Sequence, residues 1–352
     1  MKRRQLFEVL LATSTTGLLS DSLWASASGT PSTGQEPLEL YSGAYQISSL
    51  LGRRHLFQYL FVGDSNVLLD TGIASTPDAT IFPAMKRLGL RPDQITLAIT
   101  SHSDSDHLGG NSSIKKASPR TLLACGTADQ EMVEDPQVLW DRHYNFLGDD
   151  FGVGGGAKPG PEAGNPQKID LTFGGGERLR IRKDWQLEVL HVPGHSHGHL
   201  ALYDPAHKTA FISDAVHGRG SPGASGGMAL PVTYYYVDAY LSTIALLEHL
   251  PIESLYTAHF PVIRGSAIRD FMAESRQVVQ TFDRVLLSAL IGTPSGLNLT
   301  QLIEAIGAAF SDWPKNTLMF ARFAIKGHMD RLEEMGKARL LRDNRPFKWA
   351  IL

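Results

Sequence analysis

From Leu38 onward the chain is a succession of short apolar runs set between polar turns. Glu39–Ile47, His55–Val62 and Asn66–Leu69 alternate or run apolar, the spacing of strands, and Gly63-Asp64 has hairpin-turn chemistry. Residues 78–88 carry a helical pattern closed by Gly89, with Pro92 beyond it. A β-branched run from Gln94 to Thr100 reads as a buried strand leading straight into Ser101–Asn111. Leu122–Ala124 reads as another strand, 128–147 as partly helical, and the Gly/Pro-rich Gly148–Pro166 as an irregular loop. A second block follows: Lys168–Phe173, Glu177–Arg182, Leu187–His191, Leu200–Tyr203 and Ala210–Ile212. Then come a loop at Gly218–Gly227, an amphipathic helix at Asp238–His249 and a short strand at Ser254–Thr257. Beyond Ser266 the period becomes helical, to about Ala289, with a break at Gly292–Gly296. Helices at Thr300–Phe310 and Asn316–Met335 and a hairpin of Ala338–Leu341 with Phe347–Ile351 complete the chain. The texture divides it into residues 1–36, a strand-rich unit over 37–265 and a helical accessory segment over 266–352.

Residues 1–36 read as a leader and linker. Lys2-Arg3-Arg4 is a basic start, a moderately apolar stretch follows, and Ala25-Ser26-Ala27 fits a cleavage site. Arg3-Arg4 before Leu6-Phe7 is similar to a twin-arginine signal, so the expected address is periplasmic or secreted; without a leader it would be cytoplasmic. Thirty-three basic against 36 acidic residues, a net charge of −3, supply no field for nucleic acid or an anionic membrane. No run is apolar enough to span a bilayer. One cysteine, Cys125, excludes an internal disulfide framework. The expected partner is a small-molecule substrate, with no nucleic acid and no membrane span, and a homodimer is the open oligomeric question.

Candidate chemistry gathers at strand ends. Ser101-His102-Ser103-Asp104-Ser105-Asp106-His107 packs two imidazoles and two carboxylates behind one strand, ligand types that hold Zn, Fe or Mn. Ser and Asp alone would suit a helix-capping loop; the two histidines are not needed for one. Asp70, His195, Asp214 and His259 also stand at strand ends or just after them. Ligands scattered in sequence but placed at strand ends can meet at one sheet edge. The tyrosines Tyr234–Tyr236 and most other histidines (His55, His191, His197, His199, His207, His217, His249, His328) read as packing or loop residues. His143 is a candidate wall of the pocket.

Asp70-Thr71-Gly72, His102-x-Asp104-x-Asp106-His107-x-Gly109-Gly110-Asn111, Pro193-Gly194-His195, Ser213-Asp214 and Ala258-His259 together resemble the metallo-β-lactamase superfamily. The resemblance implies an α+β fold, an αββα sandwich with metals at one edge. It implies one divalent ion held by His102, Asp104 and His195, a second by Asp106, His107 and His259, and Asp214 bridging both. Asp70 would orient a ligand by hydrogen bonding. Asp104 departs from the family's usual histidine and resembles the carboxylate of the iron-binding flavodiiron branch. Zinc is the first expectation, with Fe or Mn favoured by the harder oxygen donor. The implied activity is hydrolysis of an ester, thioester, lactone or amide by water activated between two cations, with Asp106 positioning that water. An iron-dependent redox enzyme and a phosphodiesterase or nuclease are the alternatives. The helices and hairpin beyond 266 are similar to a winged-helix module, expected here to pack or dimerise rather than bind DNA.

Overall fold

The computed structural model describes residues 36–352, so the leader and linker read at 1–36 lie outside the described residues, apart from Glu36. The first sheet runs β1 (Leu38–Tyr41), β2 (Ala44–Leu51), β3 (Arg54–Phe61), β4 (Asn66–Leu69), β5 (Ile95–Thr100), β6 (Leu122–Gly126) and β7 (Leu171–Phe173) in sequence order. It is antiparallel through β4 and parallel from β4 to β7. The second sheet begins with β8 (Arg178–Arg182), β9 (Trp185–His191), β10 (Leu200–Asp204) and β11 (Thr209–Ser213). β12 (Ser221–Pro222) and β13 (Met228–Leu230) form a separate ribbon, and β14 (Ser254–Thr257) and β15 (Ile263–Arg264) complete the second sheet on the β11 side.

Period-two alternation builds the layers. In β3, Tyr59 and Phe61 face the second sheet while Leu60 faces outward helices. In β10, Leu200 and Leu202 meet the first sheet while Ala201 and Tyr203 turn to the other side. Between the sheets Phe61, Phe211, Tyr59 and Trp185 interlock edge-on. Outside the first sheet lie Ile81, Met85, Ile114 and Trp140 from short helices. Outside the second lie the helices Val237–His249 and Ser266–Ile291. The result is the αββα sandwich expected from the sequence.

Several expected boundaries move. Glu39–Ile47 is two antiparallel strands, because Gly43 takes φ +89° and turns the chain there. The strand expected from Lys168 begins only at Leu171. The helix expected over Asn316–Met335 is a 3₁₀ segment, Lys315–Ala321, followed by an α-helix, Arg322–Glu334. The Gly218–Gly227 loop overlaps the small ribbon.

The C-terminal segment adds the helices Leu299–Ala309 and Arg322–Glu334 and a three-stranded sheet of β16 (Leu297–Asn298), β17 (Ala338–Leu341) and β18 (Lys348–Ile351), ordered β16-β18-β17. One continuous core cluster joins Tyr234, Tyr240 and Ile244 to Phe282, Leu302, Ile325 and Trp349, so apolar packing crosses residue 265 without a gap. Among the described residues no helix is long and apolar enough to cross a membrane.

Candidate metal centre

The site stands where β4, β5, β11 and β14 end. β5 delivers Ser101 and His102; one helical turn, Ser105–Leu108, then carries Asp106 and His107. Close backbone approach explains the two glycines that follow. A Cβ on Gly110 would lie 2.3 Å from the Thr71 carbonyl oxygen, and one on Gly109 would lie 2.2 Å from that of Glu162. The Gly/Pro-rich loop is thereby seated against the cluster.

Asp70 is the hub. It adopts φ +64°, a left-handed conformation sparsely used by non-glycine residues. Its carboxylate accepts from the Ser101 N–H at 2.7 Å, the Ser101 hydroxyl at 3.0 Å, the Ser213 hydroxyl at 2.9 Å and His107 Nδ1 at 2.9 Å. Three strand ends are pinned to one buried anion. Burial pushes its pKa up, but His107, His102 and the Ser101 N–H outweigh that and hold it below the usual carboxylate value.

The seven residues expected as ligands converge. His102, Asp104 and His195 bring one donor atom each within 4.8 Å of one another; so do Asp106, His107 and His259, and so do His102, His107 and Asp214. His259 Nε2 stands 3.2 Å from Asp214 Oδ2 and 3.6 Å from Asp106 Oδ2, and His195 Nε2 stands 3.0 Å from Asp104 Oδ2. The donor chemistry fits divalent cations. His102, His107 and His259 are buried, and in each Nε2 has no hydrogen-bond partner among the described residues. In each the other ring nitrogen is engaged: His102 Nδ1 with Ser101 Oγ at 2.9 Å, His107 with Asp70, and His259 with the His55 carbonyl at 2.6 Å. With the Nδ1 side engaged in each ring, Nε2 is the atom left to meet a cation. Burial lowers the His107 pKa, yet Asp70, Asp106 and Asp214 overcome it and lift the group to about 10. Asp214 is displaced upward by burial but driven well below the usual range by His259, His107 and His102.

Sequence reasoning missed two contacts. Arg54, at the start of β3, donates to Asp106 Oδ2 at 2.7 Å. Tyr144 donates to Asp104 Oδ1 at 2.8 Å. His143, the candidate wall residue, stands 3.9 Å from the same oxygen and stacks on Phe323 at 4.5 Å and 3°. No local pattern marks Arg54 or Tyr144, because both reach the centre through tertiary packing. His199 stacks flat on His102 at 4.5 Å, and Tyr234 bonds His328 at 2.9 Å in the core, so these keep packing roles. A cavity of about 190 Å³ opens from the carboxylates Asp104, Asp106 and Asp214. Leu51, Ile73, Tyr144, Phe320 and Phe323 supply apolar wall, and Arg53 and Arg54 a basic rim. Phe320 and Phe323 come from the C-terminal segment, so that segment shapes the mouth of the centre.

The sequence model of the metallo-beta-lactamase superfamily matches residues 52–259, well over half of the chain. The chain belongs to the metallo-β-lactamase superfamily. Among curated relatives, an acyl-coenzyme A thioesterase of Gallus gallus is 26% identical over 201 residues, 54% of this chain and 65% of that protein. A hydroxyacylglutathione hydrolase of Mesorhizobium japonicum is 27% identical over 153 residues, 43% and 44% of the two chains. The chain thus spans less than two thirds of these relatives' lengths. Among solved structures, a metallo-beta-lactamase family protein of Thermus thermophilus superposes with TM-score 0.69 at 19% identity, covering 89% of this chain and all of that one. A subclass B3 metallo-beta-lactamase of Bradyrhizobium japonicum gives TM-score 0.52 at 18% identity, covering 80% and 99%. At these identities the superpositions establish the fold.

The geometry yields one immediate expectation for this superfamily centre. Asp70→Asn replaces an acceptor with an amide that cannot satisfy Ser101, Ser213 and His107 together. Metal affinity, measured by competition with a chromophoric chelator, is expected to fall about 10–100-fold. Unchanged affinity would show that Asp70 serves folding alone.

Proposed function

We propose that this protein is a binuclear metallohydrolase that cleaves an ester, thioester, lactone or amide of a small molecule. The carrying observation is the set of buried Nε2 atoms without a hydrogen-bond partner among the described residues, with facing carboxylates, at the foot of a largely apolar cavity. His102, Asp104 and His195 would hold one cation, Asp106, His107 and His259 the other, with Asp214 between them. When bound, such cations polarise a carbonyl oxygen and lower the pKa of water toward neutrality. Asp106 offers a carboxylate oxygen to orient the attacking water and take its proton, with the Arg54 cation alongside. Tyr144 donates its hydroxyl to Asp104 Oδ1 from within the cavity wall and so holds that carboxylate in place beside the substrate. Phe320 and Phe323 hold an apolar acyl or leaving group and exclude water. The relatives named as an acyl-coenzyme A thioesterase and a hydroxyacylglutathione hydrolase favour an acyl substrate.

Zinc is the first choice of metal. Asp104 supports a second reading, an iron centre with redox chemistry, because it contributes a hard oxygen donor. The deciding experiment is a panel of chromogenic esters, lactones, thioesters, β-lactams and phosphodiesters, run on protein reconstituted with Zn, Fe or Mn. Turnover of acyl substrates with zinc is the expected result. Iron-only activity with oxygen consumption would favour the redox reading, and phosphodiester turnover alone would reassign the substrate class. Export by the N-terminal leader belongs to the same proposal and is tested by cell fractionation.

A further inference from the structure

We infer that His217 is an additional ligand at this centre, donating to the cation held by His195 and supplying the imidazole that Asp104 removes. The inference rests on the binuclear reading above.

Its basis is where His217 sits and what its ring lacks. The residue lies three positions beyond Asp214, on the turn that leaves β11. Its own N–H donates to the Tyr240 hydroxyl at 3.0 Å, and the next N–H, of Gly218, donates to Ser275 Oγ at 3.1 Å. Gly218 takes φ +54°, and a Cβ there would lie 2.8 Å from Phe271, so the turn has little room to shift. The backbone is held tightly, yet the imidazole it presents is 3% exposed and among the described residues neither ring nitrogen has a hydrogen-bond partner. Leaving a buried polar group unpaired is costly, so such groups call for a partner. Tyr234 and Tyr240 lie roughly parallel to the ring, with centroids at 6.5 and 6.2 Å, and they form an aromatic wall on that side. On the other side the ring meets His195 edge-on at 4.9 Å. One donor atom each from His195, Asp214 and His217 falls within 4.8 Å of the others, the same closeness shown by the expected ligand triads.

His199 is the internal comparison. It too is buried with both nitrogens unpartnered, but among the described residues it belongs to none of the donor groups and lies flat against His102. Orphaned nitrogens together with membership of a donor cluster distinguish His217 from it. The consequence is a cation position with His102, His195 and His217 as nitrogen donors and Asp104 and Asp214 as oxygen donors. That mixture suits a borderline first-row cation such as zinc, cobalt or ferrous iron better than magnesium or calcium.

The test uses full-length protein stripped of metal and titrated with zinc or cobalt(II) alone. In His217→Gln the affinity of one of two sites is expected to fall at least about tenfold, with altered cobalt d–d bands and the second site unchanged. His199→Gln should leave affinities and bands as in the wild type. A wild-type crystal grown with zinc gives a readout independent of any variant's folding: a zinc peak about 2.0–2.1 Å from a His217 ring nitrogen is expected. Unchanged affinity and spectrum in His217→Gln, or a His217 nitrogen bonded only to water or protein in the zinc-loaded crystal, overturns the inference and leaves the binuclear reading standing. Wild-type protein that binds no zinc or cobalt overturns both.

Discussion

Asp106→Asn is expected to reduce kcat on any acyl substrate of this protein by at least about a thousandfold, on the scale of losing a preorganised charge-stabilising group. The side chain sits in the single helical turn after β5, 3.6 Å from His259 Nε2 and 3.8 Å from His107 Nε2. The amide keeps the shape but loses the charge that a cation needs, and it cannot accept a proton from water. It also leaves Arg54, now 2.7 Å from a carboxylate oxygen, facing a neutral group. The fold should survive, because no strand or core apolar contact depends on the charge; a melting temperature within a few degrees of wild type is expected. On the proposed binuclear zinc reading, stoichiometry should fall from two toward one. His107→Ala should remove turnover as well, but with a larger stability loss, since Asp70 then loses one of the donors to its buried carboxylate. A kcat for Asp106→Asn within tenfold of wild type would end the assignment of this carboxylate to the reaction.

The layers were legible from local pattern, and the clustering of the candidate ligands from the strand-end residues and the resemblance they carry. Alternation placed Tyr59 and Phe61 on one face of β3 and Leu60 on the other, and apolar runs ending in His or Asp marked the edge where β4, β5, β11 and β14 stop. The turn at Gly43 was hidden inside a run that looks continuous, because Tyr41 and Ala44 both fit a strand. Arg54, Tyr144 and His217 were not legible as site residues for a different reason. Arg54 lies in a strand with no motif around it, Tyr144 lies in a short distorted helix, and His217 follows a Ser-Asp pair that draws attention to Asp214 alone. Each reaches the centre through contacts made by other elements: the β2–β3 hairpin, the Trp140–Tyr144 turn and the Tyr240 hydroxyl. The role of the C-terminal segment at the pocket was equally invisible locally, since Phe320 and Phe323 are two apolar residues among many in a helical pattern.

A chain ending at residue 265 is expected to lose its cooperative fold, and with it the pocket. The helix Ser266–Ile291 buries Ile268, Phe271, Met272, Val278, Val279, Phe282, Leu286 and Leu290 against the same core that holds Tyr234, Tyr240 and Ile244. Each large apolar side chain fully buried contributes about 1.5–3 kcal/mol, so the set rivals the whole stability of about 5–15 kcal/mol typical of a native protein. A polar seam ties the same surfaces together. His328 Nδ1 bonds Asp283 at 2.7 Å and its Nε2 meets the Tyr234 hydroxyl at 2.9 Å, while Arg331 spans Asp283 at 2.7 Å and Asp238 at 2.8 Å. Burial raises the Asp283 pKa, but His328 and Arg331 outweigh it and bring it below its usual 3.8. A carboxylate depressed on folding stabilises above its unfolded pKa and loses that contribution as pH falls through its folded one. Asp283→Asn should therefore melt below wild type at pH 7, and the gap should narrow as pH is lowered beneath about 3.8. Thermal melts of both variants decide the matter. If the 1–265 chain melts in one sharp transition near the full-length temperature, the segment is an appended module; a broad, non-cooperative signal shows that the sandwich is incomplete without it.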